Sequence, residues 1–356
     1  MTAPILASGP HTHSRFNVPR TMLAVMLCLS PATAFGLFHF GWPAVLLFSV
    51  TLAAALLFEV LCLAIAGRPI LRFATDGSAL LTGWIVALSL PPWAPWWVGF
   101  TGAGIAIVIG KHMFGGLGQN LFNPAMVARA MLLVALPVQM TTWVPPVIGG
   151  PGGPGFQEAL AITFGGGTFD AVSSASPLGH IQSQLDAGLT MDSILAGMGR
   201  VHDQLFGFVP GSLGETSALL LLIGGIGLIL LRVITVVIPL AVLGSVALLS
   251  GAAWLIAPDS FPPPQYHLLS GSLMFCAFFI ATDYVTSPVT GFGKMIYGIG
   301  IGALIFVIRS WGAFPEGAAF AVLLMNACTP LIDEYVRPRI FGRTRAGKPL
   351  ELGDTQ

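Results

Sequence analysis

Residues 44–66 read Ala44-Val-Leu-Leu-Phe-Ser-Val-Thr-Leu-Ala-Ala-Ala-Leu-Leu-Phe-Glu-Val-Leu-Cys-Leu-Ala-Ile-Ala66, an apolar run with a single charged side chain, Glu59. At 1.5 Å rise per residue, a helix of this length covers the roughly 30 Å of hydrocarbon in a bilayer. Hydrocarbon offers no hydrogen-bond partners, so backbone groups must be satisfied within the segment, which selects helix. Working outward, comparable stretches occupy 21–40, 77–91, 96–114, 121–138, 216–231, 233–256, 266–282, 293–309 and 314–335. The 77–91 stretch is the shortest, and a re-entrant or broken helix is its alternative reading.

Composition agrees. Hydrophobic residues make up 55% and charged residues 8% of the 356 positions, against roughly 25% charged in a soluble domain. Strand-like alternation over ~10 residues is absent, which excludes a barrel. The expected fold class is an all-α integral membrane protein with about ten transmembrane helices.

Charge gives the orientation. With the N-terminus cytoplasmic, Arg15, Arg20, Arg68, Arg72, Lys111, Arg232, Lys294 and the cluster from Arg337 to Lys348 fall inside, whereas Arg200 and Arg309 fall outside and Arg129 lies within a span. That bias predicts both termini on the cytoplasmic side. Residues 1–20 are polar and no cleavable signal is expected. Net charge is zero and no basic run has interleaved aromatics, so nucleic acid is not an expected partner. Cys28, Cys62, Cys276 and Cys328 are solitary in apolar segments and read as inert, buried thiols rather than metal ligands. Trp93, Trp96 and Trp97 read as an interfacial belt.

The chain divides into an N-terminal tail (1–20), a first five-helix half (21–138), a non-cytoplasmic loop (139–215), a second five-helix half (216–335) and a basic tail (336–356). Five spans per half starting on opposite sides is the arithmetic of two inverted repeats. The loop opens with Gly149-Gly-Pro-Gly-Gly-Pro-Gly155, a linker by composition.

Within the loop, Phe169-Asp-Ala-Val-Ser-Ser-Ala-Ser-Pro-Leu178 follows Gly165-Gly-Gly167 and combines small residues, hydroxyls and one acid. Such hydroxyls on an exposed, flexible loop are accessible nucleophiles for a modifying enzyme; an Asx or Ser turn leading into a helix is the other reading. Gly211-Ser-Leu-Gly-Glu-Thr-Ser217 stands where the chain re-enters the membrane, and Thr216 or Ser217 is placed to cap the sixth span. Asn120, Asn123 and Pro124 suit a broken helix end. Of the ionisable residues near spans, Asp76, Asp283, Glu316, Asp333 and Glu334 lie near predicted ends, where capping or solvation is expected. Glu59 and Arg129 lie deeper and are candidates for an ion or proton path.

Asp170-Ala-Val-Ser-Ser-Ala-Ser176 resembles the flavinylation motif Asp-x-x-(Ser/Thr)-Gly-Ala-Thr, in which a flavin transferase joins FMN through its phosphate to the final hydroxyl. Six further segments match in order: Asp76-Gly-Ser-Ala-Leu-Leu-Thr-Gly83, Leu90-Pro-Pro92 with Pro95-Trp-Trp97, Phe114-Gly-Gly-Leu-Gly-Gln-Asn-Leu-Phe-Asn-Pro-Ala-Met126, Gly211 to Ser217, Phe279-Ile-Ala-Thr-Asp-Tyr-Val-Thr-Ser-Pro288, and Ala319-Phe-Ala-Val-Leu-Leu-Met-Asn326 through Asp333. Together they resemble the family that unites the D subunit of the Rnf electron-transport complex with the B subunit of the sodium-pumping NADH:quinone oxidoreductase. The short N-terminus favours the Rnf side of that family.

The resemblance implies covalent FMN on Ser176, with Asp170, Ser173 and Ala175 as motif residues, Ser173 and Ser174 as fallback acceptors, and Glu215 and Thr216 at the flavin pocket. It also implies other members of a membrane redox complex and the surrounding membrane lipid as partners, a flavin transferase for maturation, and electron exchange between NADH and ferredoxin coupled to Na+ or H+ translocation. The location implied is a bacterial inner membrane with the flavin loop periplasmic. The sequence departs from the motif at Ser174, where glycine is usual, and at Ser176, where threonine is usual; serine keeps the nucleophilic oxygen and loses a methyl group. No Gly-x-Gly-x-x-Gly follows a strand pattern, so the nicotinamide site is expected on a neighbouring chain of the complex. A flavin-free transporter or channel is the alternative function, motivated by the five-plus-five arithmetic and the glycine-rich spans.

Overall fold

The computed structural model describes residues 17–147, 153–165, 176–197, 201–215, 217–312 and 316–338. The first half comprises α1 (Val18–Phe40), α2 (Trp42–Ile65), α3 (Ile70–Ala74), α4 (Ser78–Ser89), α5 (Trp96–Gly104), α6 (Pro124–Ala135) and α7 (Pro137–Thr141). Between the halves run α8 (Phe156–Phe164), α9 (Pro177–Asp186), α10 (Met191–Gly197) and α11 (Val201–Phe206). The second half comprises α12 (Ala218–Leu230), α13 (Val237–Ile256), α14 (Pro264–Leu269), α15 (Leu273–Phe275), α16 (Gly291–Trp311) and α17 (Ala318–Tyr335). Two π-helical segments, Ile105–His112 and Cys276–Ile280, continue α5 and α15. No β-strand forms among the described residues, in keeping with the all-α expectation.

Among the described residues four helices, α1, α2, α13 and α16, are long and apolar enough to cross a membrane by themselves. Several of the others are shorter than their apolar runs suggest because polar caps and breaks intrude. The 121–138 stretch becomes helical only at Pro124: the Asn123 side chain accepts from the Ala125 and Met126 N–H groups at 3.1 and 3.2 Å, and proline suits the first turn. Likewise α12 begins after Ser217, whose hydroxyl accepts from Leu220 N–H at 3.3 Å. The 77–91 stretch is a continuous helix, α4, of 12 residues, or about 18 Å. The real break falls in 266–282, where Ser270, Gly271 and Ser272 separate α14 from α15.

Within the first half α2 packs on α4 and α5, and the π-helical segment after α5 packs on α6; within the second, α13 packs on α16 and α16 on α17. Across the halves α1 meets α12 and α6 meets α17. The α13–α16 contact depends on small residues. A Cβ on Gly298 would stand 2.6 Å from Ala241 Cβ and 3.1 Å from Ile238 O, and one on Gly302 would run into Ser245 Oγ and stand 2.6 Å from Val242 O. Lipid tails are as apolar as leucine, so helix association here draws on close van der Waals approach, which paired small residues permit.

Three of the four cysteine readings need adjustment. Cys276 is buried, Cys28 and Cys62 are half-buried, and Cys328 is exposed on α17. Trp93 is also not purely a belt residue: its indole N–H donates to Phe40 O at 3.0 Å, locking the turn before α5 onto the end of α1.

We expect Gly302→Leu to destabilise the protein by overpacking, which costs typically ~1–3 kcal/mol, and thermal melting in detergent should show a lowered midpoint. Gly300→Ala meets the flexible Met325 side chain, and its melting curve should shift much less.

Candidate functional site

Ser176 is the cap of α9. Its hydroxyl accepts from Gly179 N–H at 3.3 Å, and Pro177 occupies the first helical position. The residue is only 5% exposed, so the expected exposed nucleophile is instead folded against the protein: the cap and the following proline turn the chain inward. Beside it lies a cavity of about 10 Å³ lined by Ser176, Leu178, Pro210, Glu215, Gly271 and Glu316 among others, room for about one water. A phosphate esterified to Ser176 would meet the N-terminus of a ten-residue helix, a favourable place for an anion. The cavity is too small for a flavin ring, which would have to lie outside it.

Behind the cavity is a buried charge cluster. Arg129 of α6 donates to Glu215 Oε1 at 3.1 Å and also pairs with Glu316 Oε2. Ser212 N–H donates to Glu215 Oε2 at 3.4 Å. Arg309, near the end of α16, donates to His267 O at 2.7 Å and Ser270 O at 3.0 Å. These are carbonyls at the break between α14 and α15. Gly271 (φ +67°) sits between: a Cβ there would stand 2.7 Å from Arg309 Nη2 and 3.4 Å from Glu316 Oε1. Two arginines thus lie close to two buried carboxyl groups, which is the company a buried charge requires. Glu316 Oε1 and Arg309 Nε, both buried, have no hydrogen-bond partner among the described residues.

The loop is fastened to the first half by backbone bonds, Gly214 N–H to Leu88 O at 2.7 Å and Leu213 N–H to Leu90 O at 3.4 Å. These cap carbonyl groups at the C-terminal end of α4 and bring Glu215 under Arg129.

A second buried cluster lies elsewhere in the first half. Glu59 of α2, 1% exposed, is paired through Oε1 with Lys111 Nζ at 2.8 Å and through Oε2 with His112 Nε2 at 2.9 Å. Lys111 also donates to Ser78 Oγ at 2.8 Å, and Ser78 donates through Oγ to Asp76 Oδ1 at 2.5 Å.

With this geometry in place, comparison with known proteins is informative. The sequence pattern of the NQR2, RnfD, RnfE family matches residues 5–342. The chain belongs to that family. Among its relatives, a Rhodobacter capsulatus protein named as the D subunit of an ion-translocating oxidoreductase complex is 64% identical over 302 residues, 85% of this chain and 84% of the relative. A protein of Stutzerimonas stutzeri with the same name is 53% identical over 338 residues, 94% of this chain and 95% of its own length. One of Escherichia fergusonii, also so named, is 40% identical over 352 residues, 96% and 99% of the two chains.

Of the residues the family resemblance singled out, Ser176 and Glu215 line one cavity. Asp170, Ser173, Ser174, Ala175 and Thr216 lie outside the described residues. Glu59 and Arg129 are both deeply buried as expected, yet each is held in an ion pair, and they belong to different clusters. The capping readings of Asp76, Asp283 and Asp333 agree with their bonds to Ser78, Val285 and Val289 N–H groups. Glu316 differs: it is a partner of Arg129, not a cap. Lys111 and Arg309, counted from sequence as flanking loop charges, are 3% and 7% exposed. The signal that could have found them is the presence of acids at Glu59 and Glu316 in apolar surroundings, which require counter-charges.

Removing Arg129 while leaving both carboxylates should cost about 3–5 kcal/mol, the usual penalty for orphaning a buried charge. Arg129→Met is therefore expected to melt far below the parent, and Arg129→Met combined with Glu215→Gln and Glu316→Gln should recover part of the loss in the same melting experiment.

Proposed function

We propose that this chain is the membrane subunit of an ion-translocating oxidoreductase complex, that it carries FMN esterified through the phosphate to Ser176, and that it passes electrons between NADH and ferredoxin by way of partner chains, coupled to Na+ or H+ movement. Supporting the complex are the names of its relatives, each the D subunit of such a complex and matched over most of its length. The observation that carries the site is the junction of Ser176, the N-terminus of α9 and the buried polar groups of Glu215 and Glu316 around one cavity.

FMN supplies one- and two-electron exchange. The chain's part is to anchor and to exclude. Ser176 Oγ would bond to phosphorus as the transferase breaks a phosphoanhydride bond of the flavin donor, the released nucleotide phosphate leaving and the hydroxyl proton going to a base of the transferase. The helix N-terminus would stabilise the phosphodiester charge. Anchoring by phosphate leaves the ring free to approach the next carrier while preventing its escape. Because Ser176 is nearly fully covered in the folded chain, the transferase acts before the first turn of α9 docks, or after it lifts. In this reading the protein has ten spans arranged as two inverted repeats, with both termini cytoplasmic and Ser176 on the periplasmic side of a bacterial inner membrane. The third apolar stretches of the two halves, α4 and the broken α14–α15, are both too short to span as single helices, as half-helices of inverted-repeat proteins are.

A flavin-free transporter draws support from a cavity of about 100 Å³ lined by residues of both halves, including Ser78, Asn123, Phe278 and Asp283. One gel separates the readings. The chain, produced together with a flavin transferase and run denatured, should fluoresce yellow-green under ultraviolet light, and Ser176→Ala should be dark while Ser173→Ala and Ser174→Ala stay bright. A dark parent band would end the case for a covalent flavin.

A further inference from the structure

A cavity of about 460 Å³ opens where α1 begins and α2 ends, lined by Val18 and Pro19 of the first helix and Leu63 of the second. Both helices are long enough to cross a bilayer, so a space between their ends stands at headgroup level. Its volume falls among those of small-ligand sites, which run to roughly 300–1,000 Å³. Arg68 and Arg72 line it from the connection between α2 and α4, and both are exposed.

Arg68 is held in place. Its Nη1 donates to Gly115 O at 3.0 Å, and a Cβ on Gly116 (φ +101°) would stand 3.2 Å from the same nitrogen. Glycine there lets the guanidinium lie along the backbone. Arg72 Cζ stands 5.9 Å from the centroid of the Phe73 ring, another wall of the cavity. The cavity's acids are already engaged, Glu59 by Lys111 and His112 and Asp76 by the Ser78 N–H and hydroxyl. Among the described residues neither Arg68 nor Arg72 joins an ion pair, so two guanidinium groups border this space without a carboxylate of their own.

We propose that this cavity binds the headgroup phosphate of an anionic phospholipid between Arg68 and Arg72. The planar guanidinium fork matches phosphate oxygens, and basic pockets beside membrane helices are where anionic headgroups settle. A soluble phosphate offers the same oxygens, but the apolar surface beside the arginines selects lipid. Ile65 and Leu71, in the same stretch of chain, are 87% and 81% exposed, and Val18 on the cavity wall is 45% exposed. Acyl chains cover such surface, whereas a soluble anion leaves it bare. A zwitterionic headgroup fits less well, because its ammonium finds no carboxylate free to receive it. A charge whose single task is to fix topology needs neither a cavity nor a backbone partner.

The test is native mass spectrometry of the full chain in detergent, offered phosphatidylglycerol or phosphatidylcholine at equal concentration. The parent should retain phosphatidylglycerol well above phosphatidylcholine. Arg68→Gln and Arg72→Gln should each lower that retention about fivefold, the ~1 kcal/mol that one basic side chain contributes beside anionic lipid. Lys294→Gln, at a basic position outside the cavity, should leave it unchanged. Equal retention of the two lipids by the parent would overturn the proposal. So would parent-like retention in Arg72→Gln, an exposed position whose change tests the site even if Arg68→Gln fails to fold. Inorganic phosphate at the same concentration as the lipid should not displace it; displacement would assign the cavity to a soluble anion and sink the lipid reading.

Discussion

A charge buried in an apolar protein must bring its own counter-charge, and the arrangement around Arg129 follows from that demand. Its guanidinium on α6 is answered by Glu215 from the loop between the halves and by Glu316 from the segment leading into α17. Three parts of the chain far apart in sequence are thereby held at one point. The pairing with Glu316 also lies where α6 and α17 pack together. A hydrophobic replacement could fill the same space, and buried ion pairs often contribute little net stability over such a replacement. What the ions add is register: a loop slipped by one residue would leave Glu215 unpaired, at a cost that apolar packing alone would not impose.

The apolar packing obeys a different rule. Helices surrounded by lipid gain little by covering leucine with leucine, so the tight contact of α13 with α16 is built from Gly298 and Gly302 against Ala241, Val242 and Ser245. Closeness there and length elsewhere trade off. The long helices α1, α2, α13 and α16 form the frame, and the short α4, α6 and α12 end inside it, where their exposed backbone groups can be taken up by Asn123, Ser217 and the backbone of Leu213 and Gly214. Non-helical backbone at depth is tolerated only beside protein or a cavity, and the cavities here adjoin those ends.

Much of the frame was legible in the residues, because apolar runs of helical length have one outcome in a bilayer. The caps at Asn123 and Ser217 were legible too, since their side chains can act locally. What escaped was any feature set by partners distant along the chain. Lys111 reads as a flanking positive charge until α2 brings Glu59 beside it, and Glu316 reads as a helix-end acid until α6 brings Arg129. Ser176 was legible as a hydroxyl in a motif, but not its burial, which depends on Pro177 turning α9 toward Gly271 and Glu316. The break at Ser270–Ser272 escaped for a related reason: its carbonyl groups are tolerable there because Arg309, on another helix, takes two of them.

The two charge clusters differ in a way that separates their roles. Around Arg129 the space is closed to about 10 Å³, and the bonds join the loop between the halves to α6 and to the segment before α17. Around Lys111 the bonds stay within the first half, and the lysine borders spaces of about 100 and 460 Å³ on its two sides. Held at 2.8 Å by Glu59 and by Ser78, Lys111 parts the two spaces with a single side chain rather than with packed helices, so its pairing decides whether they join.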